Sequence, residues 1–523
     1  MLSPQSALVS ARCARFDNGG LLAAALVVFG ASTALFALSM RAPYAIALGA
    51  GAMACIFIGA RALAYGQGAF LESPVDKRRL VLCLVLACAL LVFGGATHVF
   101  RPTGDWYLRD AVLSDLVNSG FPTVYRVNGV DYLLRAPLGM YVLPALFGQF
   151  AGLAGAHVAM LAQNTLLLGA IFYVLLSLGR GWANLAILLG FAGAGIIVRI
   201  AAFLATGKVS EFNPGRDTMD SWNGIFQYSG SITQIFWVPN HMLPGWMLAI
   251  LLLAGARREV DVGTIGVAVA LLMFWSPLAI VPAVPAIAFF LFRAPREVLL
   301  ARRTWAGMIA ALLCVPVLLY LTAASDTVPR PDVFGFKEFW PSYFGFLPVQ
   351  LAAAAVVWYL RARVPGEWLA LLWVNVALLA ILPFFPFGEF NDLVMRGSIP
   401  ALVILAFLFG YALLNRDTPR RGADFAGYVL IALATTSGGY EFYRALAWKT
   451  YPINACTVMD ISHATRRRVL QTNYIAPVDA RLNALFGAMP PPAQVVTWAP
   501  PPAGELPEWP DTLTMATACW GAP

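Results

Sequence analysis

Charge is what this sequence has least of. Only 12% of its 523 residues are Asp, Glu, Lys or Arg while 60% are hydrophobic, against roughly 25% charged in an average soluble domain. So small a share excludes a globule solvated by water on all sides. The seven cysteines contain no CxxC pair and no His/Cys spacing of a metal site. Cys55, Cys83, Cys88 and Cys314 fall inside apolar runs, where a thiol is a small hydrophobe. A phosphate-binding loop is lacking as well: the glycine-rich patch at 190–195 has neither the strand context nor the lysine, which argues against transport driven by nucleotide hydrolysis on this chain. No soluble-type repeat is found. The net charge of +8 is not striped as a nucleic-acid face would be. Its Lys and Arg sit in short clusters between apolar runs, a topology signal that leaves no reason to expect a nucleic-acid partner.

What is present is a succession of apolar runs. Segments 21–40, 44–60 and 80–97 approach the ~20 residues that cross a ~30 Å hydrocarbon core. Only a helix satisfies its own backbone at that length, so the expected fold is all-α and integral to a membrane. The first run exceeds the roughly 7–15 residue core of a cleavable signal and reads as a retained span. With Arg12 and Arg15 in the cytoplasm, the cluster Asp76-Lys77-Arg78-Arg79 precedes the third crossing and a polar stretch at 99–137 falls outside. The apolar piece 138–151 contains Pro144 and is followed by Gly152, Gly155 and His157. If it crossed, Arg180 would end up outside, so it reads as an interfacial helix and 158–178 as the fourth span. Further spans near 184–206, 234–254, 262–275, 278–292, 305–321, 344–360, 368–383, 399–414 and 425–436 bring the expectation to about thirteen. The cytoplasmic turns then hold Arg257, Arg258, Arg293, Arg296, Arg302, Arg303, Arg361, Arg363, Arg416, Arg420 and Arg421. Residues 1–20 are thus a cytoplasmic N-terminus, 21–436 a polytopic domain with its first outer loop at 99–157, and 437–523 a small, Pro-rich outer tail, extended in part. Cys456 and Cys519 both lie in that tail, where an oxidising compartment would allow them to pair.

Polar residues concentrate in the outer segments. In the first, Asp105 and Arg109 are four apart and share a helical face, as do Trp106 and Asp110. A carboxylate held beside a cation at the membrane surface can act as a general base. The same spacing also suits an exposed ion pair at a helix start. His241 lies between Pro239 and Pro244, which break or kink a helix, and broken helix ends inside membranes line cavities. A structural histidine fits there equally. Asp392 and Arg396 stand four apart just before a span; Arg396 sits where a lipid phosphate would, and Arg199 is near the outer end of its own span.

These residues resemble the GT-C superfamily, multi-span glycosyltransferases that use polyprenyl-phosphate sugars, in an uncharacterised bacterial branch. The likeness rests on Gly104-Asp105-Trp106 with Ala111 to Leu116 and Gly120-Phe121-Pro122, on Trp237 to Trp246 around His241, and on Asn391-Asp392-Leu393-Val394-Met395-Arg396-Gly397-Ser398-Ile399-Pro400. The resemblance implies Asp105 as catalytic base; phosphate chemistry makes Arg396 and Arg199 the candidate donor-phosphate ligands, and His241, Trp106, Arg109, Asp110 and Asp392 are candidate substrate contacts. Arg109 and Asp110 stand where related sequences tend to show His and Asn. It implies a polyprenyl-phosphate-sugar donor, a glycan or lipid acceptor in the cell envelope, and a bacterial inner membrane with the C-terminus outside. No protein metal ligands are assigned; the one cofactor candidate is a divalent cation, Mg2+ or Mn2+. A secondary transporter, a lipid-linked glycan polymerase or ligase, and a non-catalytic scaffold remain as rival readings.

Overall fold

A computed structural model describes residues 16–207, 217–335, 337–388, 391–415, 421–453, 455–464 and 471–497; Arg12, Arg15, Arg416, Arg420 and Cys519 lie outside these. Of the described residues, 71% are helical. Among the described residues, six helices are long and apolar enough to cross a membrane: Asn18–Ser39, Ala42–Ala64, Val142–Leu178, Phe339–Tyr359, Gly366–Phe384 and Asp392–Leu414. A bent pair, Arg302–Leu313 with Val315–Thr327, makes a seventh if counted as one span.

Thirteen spans are not confirmed among the described residues, where several of the expected runs lack a continuous helix of crossing length. Segment 184–206 is divided into Trp182–Leu189 and Gly195–Thr206. Segment 234–254 breaks at Val238. Prolines at the starts of Pro277–Ile280 and Val284–Arg293 interrupt the run at 278–292, because proline supplies no N–H to the preceding turn. Lys77–Phe93, with 17 residues, is only about 26 Å long. At the other end of the chain, the helix Arg421–Ala447 carries on beyond residue 436, so the tail begins later than its hydropathy implied.

Burial sorts the helices. All of Pro239–Ala256 is buried, and 89% of the most apolar window of Asp392–Leu414 is, against 39% for Ala42–Ala64; the first two therefore form the centre and the third the rim. Ile46, Met53 and Phe57 on the rim are more than half exposed, an arrangement that water penalises and lipid does not. Carboxylates cap several helix starts: Asp17 accepts from the Gly20 N–H at 2.8 Å and Asp261 from the Thr264 N–H at 2.8 Å, each satisfying one orphan donor.

The helix Trp106–Ser119 (α1) opens the first outer loop, and two strands follow, β1 Val124–Val127 and β2 Val130–Leu134. They form a hairpin around Asn128 (φ 50°) and Gly129 (φ 83°), the left-handed pair that a two-residue turn requires. Next comes α2, Val142–Leu178, broken at Gly152 (φ 74°, ψ 178°), so the sequence 142–151 is a separate helical piece from the one that runs to Leu178. The described part of the tail packs against the first outer loop. Its strands β3 Ile475–Pro477 and β4 Gln494–Val496 flank the hairpin in one sheet of order β3-β2-β1-β4. Buried Asp115 of α1 adds a tie, accepting from the Tyr125 hydroxyl at 2.5 Å and the Val458 N–H at 2.9 Å.

Candidate functional site

Asp105 is the residue just before α1, and its side chain does not cap the helix. One turn on, Arg109 Nη2 donates to its Oδ2 at 3.1 Å. Arg396 Nη2 lies 3.9 Å from the same oxygen, while Arg396 Nη1 holds Asp392 at 2.5 Å. The four groups alternate in sign from α1 to the entry of the central helix Asp392–Leu414. Access differs among them: the Asp105 side chain is 35% exposed, Arg396 14% and Arg109 3%. Arg109 Nε and Nη1 are buried without a hydrogen-bond partner, so this guanidinium has donors to spare. The carboxylates are already paired with arginine, so these residues fit a Mg2+ or Mn2+ ion only if a guanidinium is displaced.

The local backbone explains the placement. Gly388 (φ 88°) and Asn391 (φ 58°) adopt left-handed conformations on either side of 389–390. At Gly388 a Cβ would run into the Asp392 carboxylate, so glycine lets Asp392 fold back beneath the arginine. His241 comes from the second central helix. Its Nδ1 is hydrogen-bonded to Ser276 Oγ at 2.6 Å, and it lies within electrostatic reach of Arg396 and Arg109. Asp105 and Arg396 thus lie side by side, and His241 is within electrostatic reach of Arg396 and Arg109.

Two other residues are placed differently. Trp106 is buried and its Nε1–H donates to the carbonyls of Gly94 and Phe236 at 2.8 and 3.2 Å; it forms a floor, with the Arg109 guanidinium 5.5 Å over its ring. Arg199 donates to the carbonyls of Met219 and Thr218 at 3.2 and 3.4 Å and is acted on by Asp217 and Asp220, so its setting is the 217–220 turn. Sequence reasoning missed Tyr474. This tail residue lies within electrostatic reach of Asp105, Arg109, Arg396 and Asp392; burial first, then the Asp105 carboxylate, push its phenol up. No motif marks it, because only the β2–β3 pairing brings it there.

Asp110 faces the other way from Asp105. Its Oδ2 is 2.9 Å from His98 Nε2, and His157 of α2 completes a buried trio whose ligand atoms all lie within 4.8 Å of one another. A 460 Å³ cavity lies elsewhere, lined by Arg180, Arg257, Glu367, Trp368 and Tyr411 among others, and includes none of the expected site residues.

Compared with protein-family models, with curated proteins and with solved structures, this chain matches none.

Proposed function

We propose that the protein is a membrane glycosyltransferase of GT-C type, transferring a sugar from a polyprenyl-phosphate donor to a glycan or lipid acceptor of the bacterial cell envelope. The observation that carries this reading is the accessible Asp105 carboxylate between the buried guanidinium groups of Arg109 and Arg396, in a chain of membrane-length apolar helices. In the resting protein Asp105 occupies the place of an anion. A donor phosphate would take over Arg396 and the spare donors of Arg109, leaving Asp105 facing the acceptor hydroxyl.

The reaction is an inverting displacement. Asp105 takes the acceptor O–H proton, the acceptor oxygen bonds to the anomeric carbon, and the bond from that carbon to the phosphate oxygen breaks with its electron pair on the phosphate. The arginines neutralise the departing phosphate and the protonated Tyr474 phenol supplies a further donor. Arg109 replaces Arg199 as the second phosphate ligand. The reading puts the N-terminus in the cytoplasm and the C-terminus outside the inner membrane, and counts the broken apolar segments as crossings that line a cavity.

The test uses the full chain in proteoliposomes with radiolabelled undecaprenyl-phosphate-linked mannose, glucose and arabinose and a cell-envelope extract as acceptor. Transfer of one label, reduced roughly 100- to 10,000-fold by Asp105→Asn, is the expected result. Passage of label into the lumen without transfer would identify a transporter, and undiminished transfer by a correctly inserted Asp105→Asn would sink the mechanism.

A further inference from the structure

We propose that His98, Asp110 and His157 bind a divalent transition-metal ion of the zinc class, which clamps the helix carrying Arg109 to the membrane domain behind the Asp105 cluster. The three come from separate elements: the turn Ala96–His98, α1 and α2. All three are buried, Asp110 completely and His157 to within 1%. A cross-link here would hold the start of α1 against the break-containing helix α2.

The hydrogen-bond inventory calls for a cation. His98 Nδ1 is 3.0 Å from the Tyr451 carbonyl; a carbonyl only accepts, so Nδ1 carries a proton, and Nε2 of the neutral ring has a lone pair free to bind a metal. That lone pair is 2.9 Å from Asp110 Oδ2, and no hydrogen bond joins the two. Both oxygens of Asp110 and both ring nitrogens of His157 are likewise buried without a hydrogen-bond partner. A buried polar atom left without a partner keeps the full penalty of its lost hydration. A proton added to His98 could relieve one pair and would leave His157 as it is; an ion among the three relieves all of them.

The spacing and donors select the ion. Tetrahedral zinc with ligands at about 2.0–2.1 Å places them about 3.3 Å apart, between the 2.9 Å of His98 to Asp110 and the 4.8 Å bound on the trio. Two imidazoles and a carboxylate suit zinc, cobalt or iron, whereas magnesium and calcium take oxygen shells. The Tyr451 carbonyl orients His98 as an outer partner of the ion. Metal binding at this trio is independent of sugar transfer at Asp105.

The experiment is metal analysis of the full chain, purified in detergent, stripped with chelator and reloaded with Zn2+ or Co2+. About one ion per chain is expected, with the visible absorption of tetrahedral Co2+. His98→Ala and His157→Ala should each weaken the metal at least tenfold, while His241→Ala keeps it. Should His157→Ala fail to fold, His157→Cys must retain the ion and add a thiolate-to-cobalt absorption. A folded wild-type protein that takes up neither metal at micromolar concentration, or equal metal content in all the variants, would overturn the proposal.

Discussion

If Asp105 stands in for a phosphate, neutralising it has opposite effects on binding and on transfer. Asp105→Asn removes the negative charge 3.9 Å from Arg396 and 3.1 Å from Arg109. A unit charge at about 4 Å is worth roughly 4 kcal/mol at an effective dielectric constant near 20. Because Asp105 is 35% exposed, solvent screening cuts this to about 1–2 kcal/mol, and the repulsion lifted from an incoming phosphate is of the same order. Undecaprenyl phosphate should therefore bind the variant about tenfold more tightly while transfer is lost. The assay is titration of undecaprenyl phosphate into nanodisc-embedded wild type and Asp105→Asn, followed by tryptophan fluorescence and repeated at high salt, where the gap should narrow. Equal or weaker binding by a folded Asp105→Asn would refute the stand-in account, since a purely structural ion pair predicts loss of both properties.

Burial raises the Asp115 carboxyl to about 7, outweighing its bonds from Tyr125 and Val458. Since the folded value exceeds the unfolded one, its stabilisation is complete below about pH 4 and is lost as pH rises through 7; limited proteolysis of the tail should quicken over that range, and Asp115→Asn should flatten the dependence. Glu441 and Arg444 form a buried pair at 2.8 Å, with Trp237 Nε1–H donating to the same Glu441 oxygen at 2.9 Å. Arg444→Met leaves a buried carboxylate unpaired and should cost about 3–5 kcal/mol; adding Glu441→Gln should recover part of the loss in thermal melts. Gly129→Ala forces alanine to a φ of 83° with no steric clash around its Cβ. It should cost about 1–2 kcal/mol, read as earlier release of the tail by protease with the membrane helices unaffected.

Several of these features were visible in the chain itself. Apolar runs of membrane length require helices whatever the tertiary arrangement, because backbone polar groups have no other partner in hydrocarbon; that much is local physics. The Asp105/Arg109 and Asp392/Arg396 pairs follow from a four-residue period alone. The Asn128-Gly129 dipeptide between β-branched residues is a hairpin signal that a search for spans passes over. Hydropathy likewise registers apolarity and ignores continuity, which is why the runs near 184–206 and 278–292 read as single spans although they are broken.

Other features belong to the tertiary structure because they depend on pairs distant in sequence. Arg396 reaches Asp105 only because the fold brings the entry of the central helix within side-chain reach of the residue before α1, whereas Arg199, equally plausible by position, is drawn to carbonyls at 218–219. Tyr474 arrives through strand pairing between tail and first loop. Trp106, one turn from Arg109, becomes a buried floor because Gly94 and Phe236 offer its indole N–H two carbonyls. His98, Asp110 and His157 have no motif spacing; three backbones from separate elements bring their ligand atoms within 4.8 Å. Sequence by itself determined that this chain is helical, built for a membrane and equipped with charge at helix entries. Which of these local pairs meet one another was decided by long-range packing, since contacts between distant segments are set by the crossing of elements and not by spacing along the chain.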